Sequence, residues 1–493
     1  MSSPSACSPI DPPSVIVSSP VSSFLPVTLV AEVCSSLNDA SLQSTRDVAL
    51  CGIPCLQILQ RAAAFMKNSE STRARPGYEV KLDIQHHHMA LEALFLLAEE
   101  NINAVPFHSV QGKWLRLYVD VSLLQSLLDL VDGPPEGEDY RAHWRRAIKR
   151  LDLAIIVGGA VGQHRRRWIL SLITCIQNGG YPRHHSPEQH PLRSSSKRRR
   201  SMERSDRLNI ASRSIPVLPN PPTIDEYLNQ HYSQPFIIRG YAASYSAVTN
   251  WSSAEYLLDA VGEGRYVPVE VGEAYDAEGW GQKIIPFRDF LSSAGFDVSP
   301  ESDEMNEELG VQPLYLAQHS LFNQFPALEK DFLVPEYVWS GPATPSDAPD
   351  YRPPITDDGV IINVWIGNGG KGVVSPAHTD PYYNCYLQVL GRKCVWLAPP
   401  CVAPHMYCHA ESGDEDTIAS KYMHNTSTVP IFRRDETSTT ELRQRFPDFF
   451  ERVVPLSHEA ILNPGDLLVF GPGWWHAMRG EGDGPGWSIS MWY

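Results

Sequence analysis

Apolar residues return every third or fourth position from about Val27 to Gln177. "VKLDIQHHHMALEALFLLAEE", "WLRLYVDVSLLQSLLDLVDG", "YRAHWRRAIKRLDLAIIV" and "RRRWILSLITCIQNGG" carry the spacing of helices with one buried stripe, and the last ends in a glycine stop. This pattern predicts a domain of several antiparallel helices over 27–178, with a polar loop near "KNSESTRARPGYE". Residues 1–26, rich in Ser and Pro, predict a disordered tail. Residues 179–206, "GGYPRHHSPEQHPLRSSSKRRRSMERSD", have almost nothing to bury and predict a flexible basic linker. Beyond about Arg207 the period shortens. "RYVPVEVGEAY" alternates, and from Val360 short runs follow one another between Gly/Pro turns: "VIINVWIG", "NCYLQVLG", "KCVWLAPP", "EAILNPGDLLVFGPGWWHAM", "GWSISMWY". Many short strands with such turns predict a β-sandwich or barrel over 207–493. The fold class is therefore α+β, helical domain first.

Composition narrows the range of functions. A chain of 493 residues is longer than one ordinary domain, and 42% apolar content supplies real cores. A formal net charge of −16 argues against broad nucleic-acid binding and is compatible with cationic protein tails as partners. Nine cysteines show no regular framework, which predicts a reduced, intracellular setting. No run approaches the length of a transmembrane span, and the N-terminus lacks the basic and apolar regions of a secretory signal. The basic run Lys197–Arg200 is a candidate nuclear import signal, so a nuclear location, with a cytoplasmic pool allowed, is expected.

The chemistry concentrates in "SPAHTDPYYNCYLQVLGRKCVWLAPP", Ser375 to Pro400. Strand residues two apart share a side, so His378 and Asp380 can present an imidazole and a carboxylate to one cavity. The second histidine is His476 of "PGDLLVFGPGWWHAM", 98 positions later. Two His and one carboxylate on one face leave three coordination positions open, which suits Fe(II) in an oxygenase with a chelating co-substrate. Lys393 stands in an apolar run, where an ammonium is costly without a partner. The distal carboxylate of 2-oxoglutarate would be one. Asn384, four residues after Asp380, is placed on the same strand face as a further donor. Each piece alone has a bland reading: H-x-D is common, a strand lysine usually lies at an edge, and a histidine after two tryptophans is usually packing. The ordered set is far more specific than any part.

Two other clusters carry ligand-type side chains. Cys401, His405, Cys408 and His409 could bind zinc, and His86–His88 with Cys51 and Cys55 form a weaker candidate. "IIVGGAVGQ" looks like a phosphate loop but sits in a helical pattern without the following Lys.

With these residues on the page, the C-terminal part resembles the JmjC family of Fe(II)- and 2-oxoglutarate-dependent oxygenases, and within it the JmjC-only subfamily described as lysine demethylases or arginyl hydroxylases. The resemblance spans roughly 207–493. It is carried by "PVEVGEAYDAEGW", "YLAQHSLFNQFPAL", "VWIGNGGKGVVSPAHTDPYYN", "LQVLGRKCVWLAPP" and "HNTS" from His424. It implies a double-stranded β-helix (jelly-roll, cupin-like) with flanking helices. It implies that His378, Asp380 and His476 ligate iron, and that Tyr315, Ser375, Asn384, Lys393 and Trp492 lie around 2-oxoglutarate. Gln318, Trp365 and Trp492 would wall the metal pocket, and Glu270 and Tyr275 would face the substrate. The implied substrate is a protein or histone tail with a cationic side chain, with the helical domain available to other proteins. The implied reaction is arginine hydroxylation or methyl-lysine demethylation, the buried-type Glu270 favouring a guanidinium. An inert JmjC scaffold is the competing reading, and an intact triad with Lys393 speaks against it. A zinc isomerase of the cupin type would recruit more histidines. "GNGGKGVVSP" is one residue longer than the family's loop. Tyr382 and Tyr383 stand where smaller polar residues are familiar, which would narrow the mouth.

Overall fold

The computed structural model describes residues 27–38, 43–67, 77–135, 137–180, 210–272, 279–300, 312–349, 351–371, 373–409, 423, 425–432 and 439–493. The expected tail, most of the expected linker with Lys197–Arg200, and the middle of the expected loop (68–76) lie outside them. The described residues form two compact units: 27–154 with 158–180, and 155–157 with 210–493.

The first unit is helical: α1 (Val27–Asn38), α2 (Gln43–Ala49), α3 (Ile53–Lys67), α4 (Gly77–Asn103), α5 (Gly112–Asp132), α6 (Tyr140–Ile156) and α7 (Arg165–Gly180). Gly77–Glu79, read as the end of a loop, instead opens α4. On α4, Ile84, Leu91, Leu94 and Ala98 are buried while Leu82, Met89 and Leu96 are exposed. α5 is buried on every side from Arg116 to Leu128, so it is the helix the others pack around. It carries charge inward. Arg116 Nε donates to Asp120 Oδ2 at 2.7 Å, Arg165 Nε donates to Asp120 Oδ1 at 2.9 Å, and Arg165 Nη2 donates to Ser36 Oγ at 2.9 Å. The glycine-rich stretch before α7 is explained by this cluster. A Cβ on Gly162, whose φ is +110°, would lie 1.6 Å from Arg116 Nη1.

The second unit is two facing sheets with helices outside them. Its strands are β1 (Arg213–Ser214), β2 (Val217–Leu218), β3 (Phe236–Ile238), β4 (Tyr266–Val271), β5 (Gly281–Pro286), β6 (Leu314–His319), β7 (Ile361–Asn368), β8 (Val374–Thr379), β9 (Asn384–Leu390), β10 (Arg392–Ala398), β11 (His458–Leu462), β12 (Leu467–Phe470), β13 (Trp475–Glu481) and β14 (Pro485–Trp492). Five form one sheet in the order β1-β11-β10-β13-β8, and nine form the other in the order β2-β3-β12-β9-β14-β7-β6-β4-β5. Consecutive strands often sit in different sheets, as in a jelly roll.

Alternation decides which residues face what. On β14, Trp487, Ile489 and Met491 join Leu387, Cys385, Val364 and Leu316 in a core outside the nine-stranded sheet, under α8 (Ala254–Val261) and α9 (Phe287–Ala294). Ser488, Ser490 and Trp492 alternate with them and face the other sheet. Between the sheets, Val395, Leu397, Leu462, Leu468, Phe470 and Met478 close one end with an apolar plug. Cys394, Trp396 and Ala477 pack outward against α10 (Thr439–Arg445) and its neighbours. The α+β architecture read from the sequence is the one observed.

Candidate metal centre and co-substrate pocket

β8 and β13 run antiparallel, and their register sets His476 directly opposite His378. The two imidazole centroids are 4.2 Å apart. Two residues further along β13 the register slips, because β8 carries one extra residue between Ser375 and His378. Positions three apart on a regular strand point to opposite faces. The bulge turns Ser375 and His378 the same way, and both line one pocket with His476 and Met478.

Asp380 reaches this pocket by a different route from the one expected. It is not on the strand with His378; β8 stops at Thr379. Its main-chain oxygen accepts from Gly473 N at 2.9 Å, which ties it to the turn before β13. Its carboxylate lies 3.9 Å from His378 Nε2 and 3.4 Å from His476 Nε2. One ligand atom from each of the three residues falls within 4.8 Å of the others, the one such group of His, Cys, Asp or Glu among the described residues.

The orientation of both rings is fixed from behind. His378 Nδ1 lies 2.8 Å from Pro376 O, and His476 Nδ1 lies 3.0 Å from Trp474 O. A carbonyl only accepts, so each Nδ1 carries the proton and each Nε2 lone pair is directed at the carboxylate side. Burial, then the neighbouring His476, lowers the His378 pKa to about 4, so its ring is neutral at physiological pH. Burial alone would raise Asp380, but the two neighbouring imidazoles more than offset this and hold it below the usual range. A carboxylate and two Nε2 donors on one face fit a ferrous ion with open positions.

Across from the triad stands the inner face of the nine-stranded sheet. Tyr315 of β6, Trp365 of β7, Asn384 and Tyr386 of β9, and Ser490 and Trp492 of β14 complete the pocket. Asn384 corrects one expectation: it begins β9, in the other sheet from His378, and faces the pocket from the opposite wall. Its Oδ1 accepts from Ser490 Oγ at 3.0 Å. Lys393, on β10, is 7% exposed and has no carboxylate partner among the described residues. Its Nζ donates to Tyr315 Oη at 3.0 Å, and Ser375 hydrogen-bonds the same hydroxyl. Burial pulls its pKa down to about 7. A buried ammonium with neutral neighbours fits the distal carboxylate of a keto acid bound beside it.

The remaining expected residues divide. Glu270 sits opposite Tyr315 on β4, hence on the same sheet face. Burial raises its pKa, and a hydrogen bond from Trp280 partly opposes this. Gln318 is exposed at a bulge in β6, with φ +48°, and is not among the pocket's lining residues. Tyr275 lies outside the described residues. Tyr386, Met478 and Ser490 line the pocket without having been singled out. The serine was legible: "SISMW" alternates polar and apolar residues in a strand with no exposed face.

The zinc candidates are not assembled. Cys401 is exposed, His405 Nδ1 lies 3.9 Å from Asp448, and the Cys408 backbone bridges to Ser427. His87 stacks on Phe65 and His88 approaches Asp129, both as parts of the helical packing.

Residues 223–493 match the family described as "Cupin-like domain". Lysine-specific demethylase 8 of Danio rerio is 28% identical over 384 residues, covering 77% of this chain and 81% of that protein. Jumonji C domain-containing protein 5 of Drosophila melanogaster is 32% identical, covering 57% of this chain and 59% of that protein. Lysine-specific demethylase JMJ30 of Arabidopsis thaliana is 30% identical, covering 52% of this chain and 50% of that protein. The chain thus spans only about half to three fifths of the length of two of these three relatives. With more than half its length inside the matched domain and its relatives of the Jumonji C type, the chain belongs to the cupin-like family, in its JmjC group.

Proposed function

We propose that this protein is an Fe(II)- and 2-oxoglutarate-dependent oxygenase acting on a cationic side chain of a protein, with arginine hydroxylation favoured over methyl-lysine demethylation. The observation that carries it is the convergence of His378, Asp380 and His476 in one pocket with a buried, acid-free Lys393. Iron and the keto acid, when bound, would supply together with dioxygen an oxidant that replaces a C–H hydrogen by hydroxyl, one oxygen atom going to the product and the other to succinate as carbon dioxide leaves.

The protein's part is positioning. His378, Asp380 and His476 would hold the metal, their geometry fixed by Pro376 O, Trp474 O and Gly473 N. Lys393, Tyr315 and Ser375 would hold the distal carboxylate, and Asn384, anchored by Ser490, would add a donor near the metal. Trp365 and Trp492 line the space between. Glu270, raised by burial and with no cation beside it among the described residues, supports a guanidinium-bearing substrate. The lysine demethylase names of the Danio and Arabidopsis relatives support the N-methyl alternative, which needs the same oxidant. The basic run Lys197–Arg200 supports a nuclear location.

The test is succinate release from 2-oxoglutarate by the iron-loaded chain. Wild type turns over, and His378→Ala falls to background. Persisting activity in that variant would move the metal elsewhere. Mass measurement of arginine and methyl-lysine peptides then separates gain of an oxygen atom from loss of a methyl group.

A further inference from the structure

The pocket has two ends. On β13, His476 faces His378 while Gly480, four residues on, faces Lys393, so the triad and the ammonium's strand position lie about 13 Å apart. On the opposite wall, Trp365 packs 6.2 Å from Tyr315, at the Lys393 end. Trp492 pairs with Asn384, at the triad end. A keto acid anchored by Lys393 therefore fills the deep end and leaves the Trp492 end to the substrate.

That end carries a residue with no role so far. Tyr382 lies in the turn between Asp380 and Asn384, and its ring sits 5.5 Å from the Trp492 ring with planes 30° apart. The turn is pinned on both sides. Asp380 O is held by Gly473 N, and Tyr383 exchanges two main-chain hydrogen bonds with Tyr493, at 3.2 and 3.1 Å. Tyr383 points the other way, into a buried aromatic cluster, with its hydroxyl on Ala343 O. Tyr382 alone of the pair is left half-exposed beside the pocket. Its position is therefore set by the fold rather than by its own packing.

We propose that Tyr382 is a specificity-determining residue. With Trp492 it forms an aromatic lip against which a flat, delocalised guanidinium lies while the carbon it carries reaches the triad. Two ring faces at the mouth attract a weakly hydrated planar cation more than a compact ammonium. The inference rests on the oxygenase reading and names the substrate class within it.

Binding tests it without turnover. The full chain, loaded with zinc and 2-oxoglutarate, is titrated by calorimetry and NMR with Nα-acetyl-arginine N-methylamide, its citrulline counterpart and its trimethyl-lysine counterpart. The arginine compound binds most tightly to wild type. Tyr382→Leu weakens it about fivefold and leaves citrulline and 2-oxoglutarate affinities unchanged, while Tyr382→Phe stays within about twofold. Melting temperatures verify that the variants are folded, and Tyr382→Gln carries the same comparison should the leucine variant unfold. Equal losses for arginine and citrulline, no loss for arginine, or tighter binding of trimethyl-lysine each overturns the proposal. The oxygenase reading is judged separately by wild-type succinate release, which can hold while this preference fails.

Discussion

Both units bury basic side chains, and they do so in opposite ways. In the helical unit, Arg116 and Arg165 share Asp120, with all three side chains at most 2% exposed. In the jelly roll, Lys393 is nearly as buried and, among the described residues, meets the Tyr315 hydroxyl and no carboxylate. The first arrangement gives both guanidinium groups an internal carboxylate partner and so is structural. The second leaves its charge to be met from outside, and that difference, not burial itself, distinguishes a site from a core.

The contrast can be broken from either side. The largest expected effect is in the helical unit: Asp120→Ala strands two buried guanidinium groups and destabilises that unit by about 3–5 kcal/mol, read by chemical denaturation. Gly162→Ala comes next. It forces a Cβ onto Arg116 at a φ of +110° and costs about 2–3 kcal/mol in the same assay. Lys393→Met sharpens the contrast in the other direction. The ligand-free protein keeps its stability or gains about 1 kcal/mol, while the 2-oxoglutarate requirement rises by roughly two orders of magnitude from the lost charge-assisted bond. A large loss of stability in that variant would class Lys393 with the arginines.

The smallest effect is a pH dependence. Lys393 titrates near 7 when folded and near its ordinary 10.5 when unfolded, so the unfolded chain holds more protons between these values. The penalty for burying this ammonium is fully present below about pH 7 and is relieved as pH rises toward 10.5. Bound 2-oxoglutarate raises the folded pKa, so its affinity falls as pH climbs above about 7, with net proton uptake on binding at pH 8. Calorimetry in two buffers of different ionisation enthalpy measures that uptake.

Much of this was readable from residue order. The helical period gave α4 to α7, and alternation gave β4; the strands from Val360 onward were marked off instead by the Gly/Pro turns between short apolar runs, several being buried on both faces. His378, Asp380, Lys393 and His476 were legible because each violates the apolar texture around it. The placement of Asn384 was not, since a four-residue offset can be a strand or a turn, and only the "DPYY" turn between sheets decides it. Ser375 could not be given a direction, because the bulge that aims it is a property of two strands whose partners lie 98 positions apart. Gln318 failed for the same reason: the irregularity in β6 rotates it outward.

The face-to-face pairing of His378 with His476 also dates the site within folding. The imidazoles meet only when β13 has returned alongside β8, after β9 to β12 have been laid down between them. Closing so long a loop is a late event for a chain of this topology. A ribosome-bound or partly unfolded form therefore presents single histidines and an isolated aspartate, with little hold on a metal. On the proposed reading, loading with iron would report completion of the barrel, and a chelator added during refolding should leave the folding rate of the sheets unchanged.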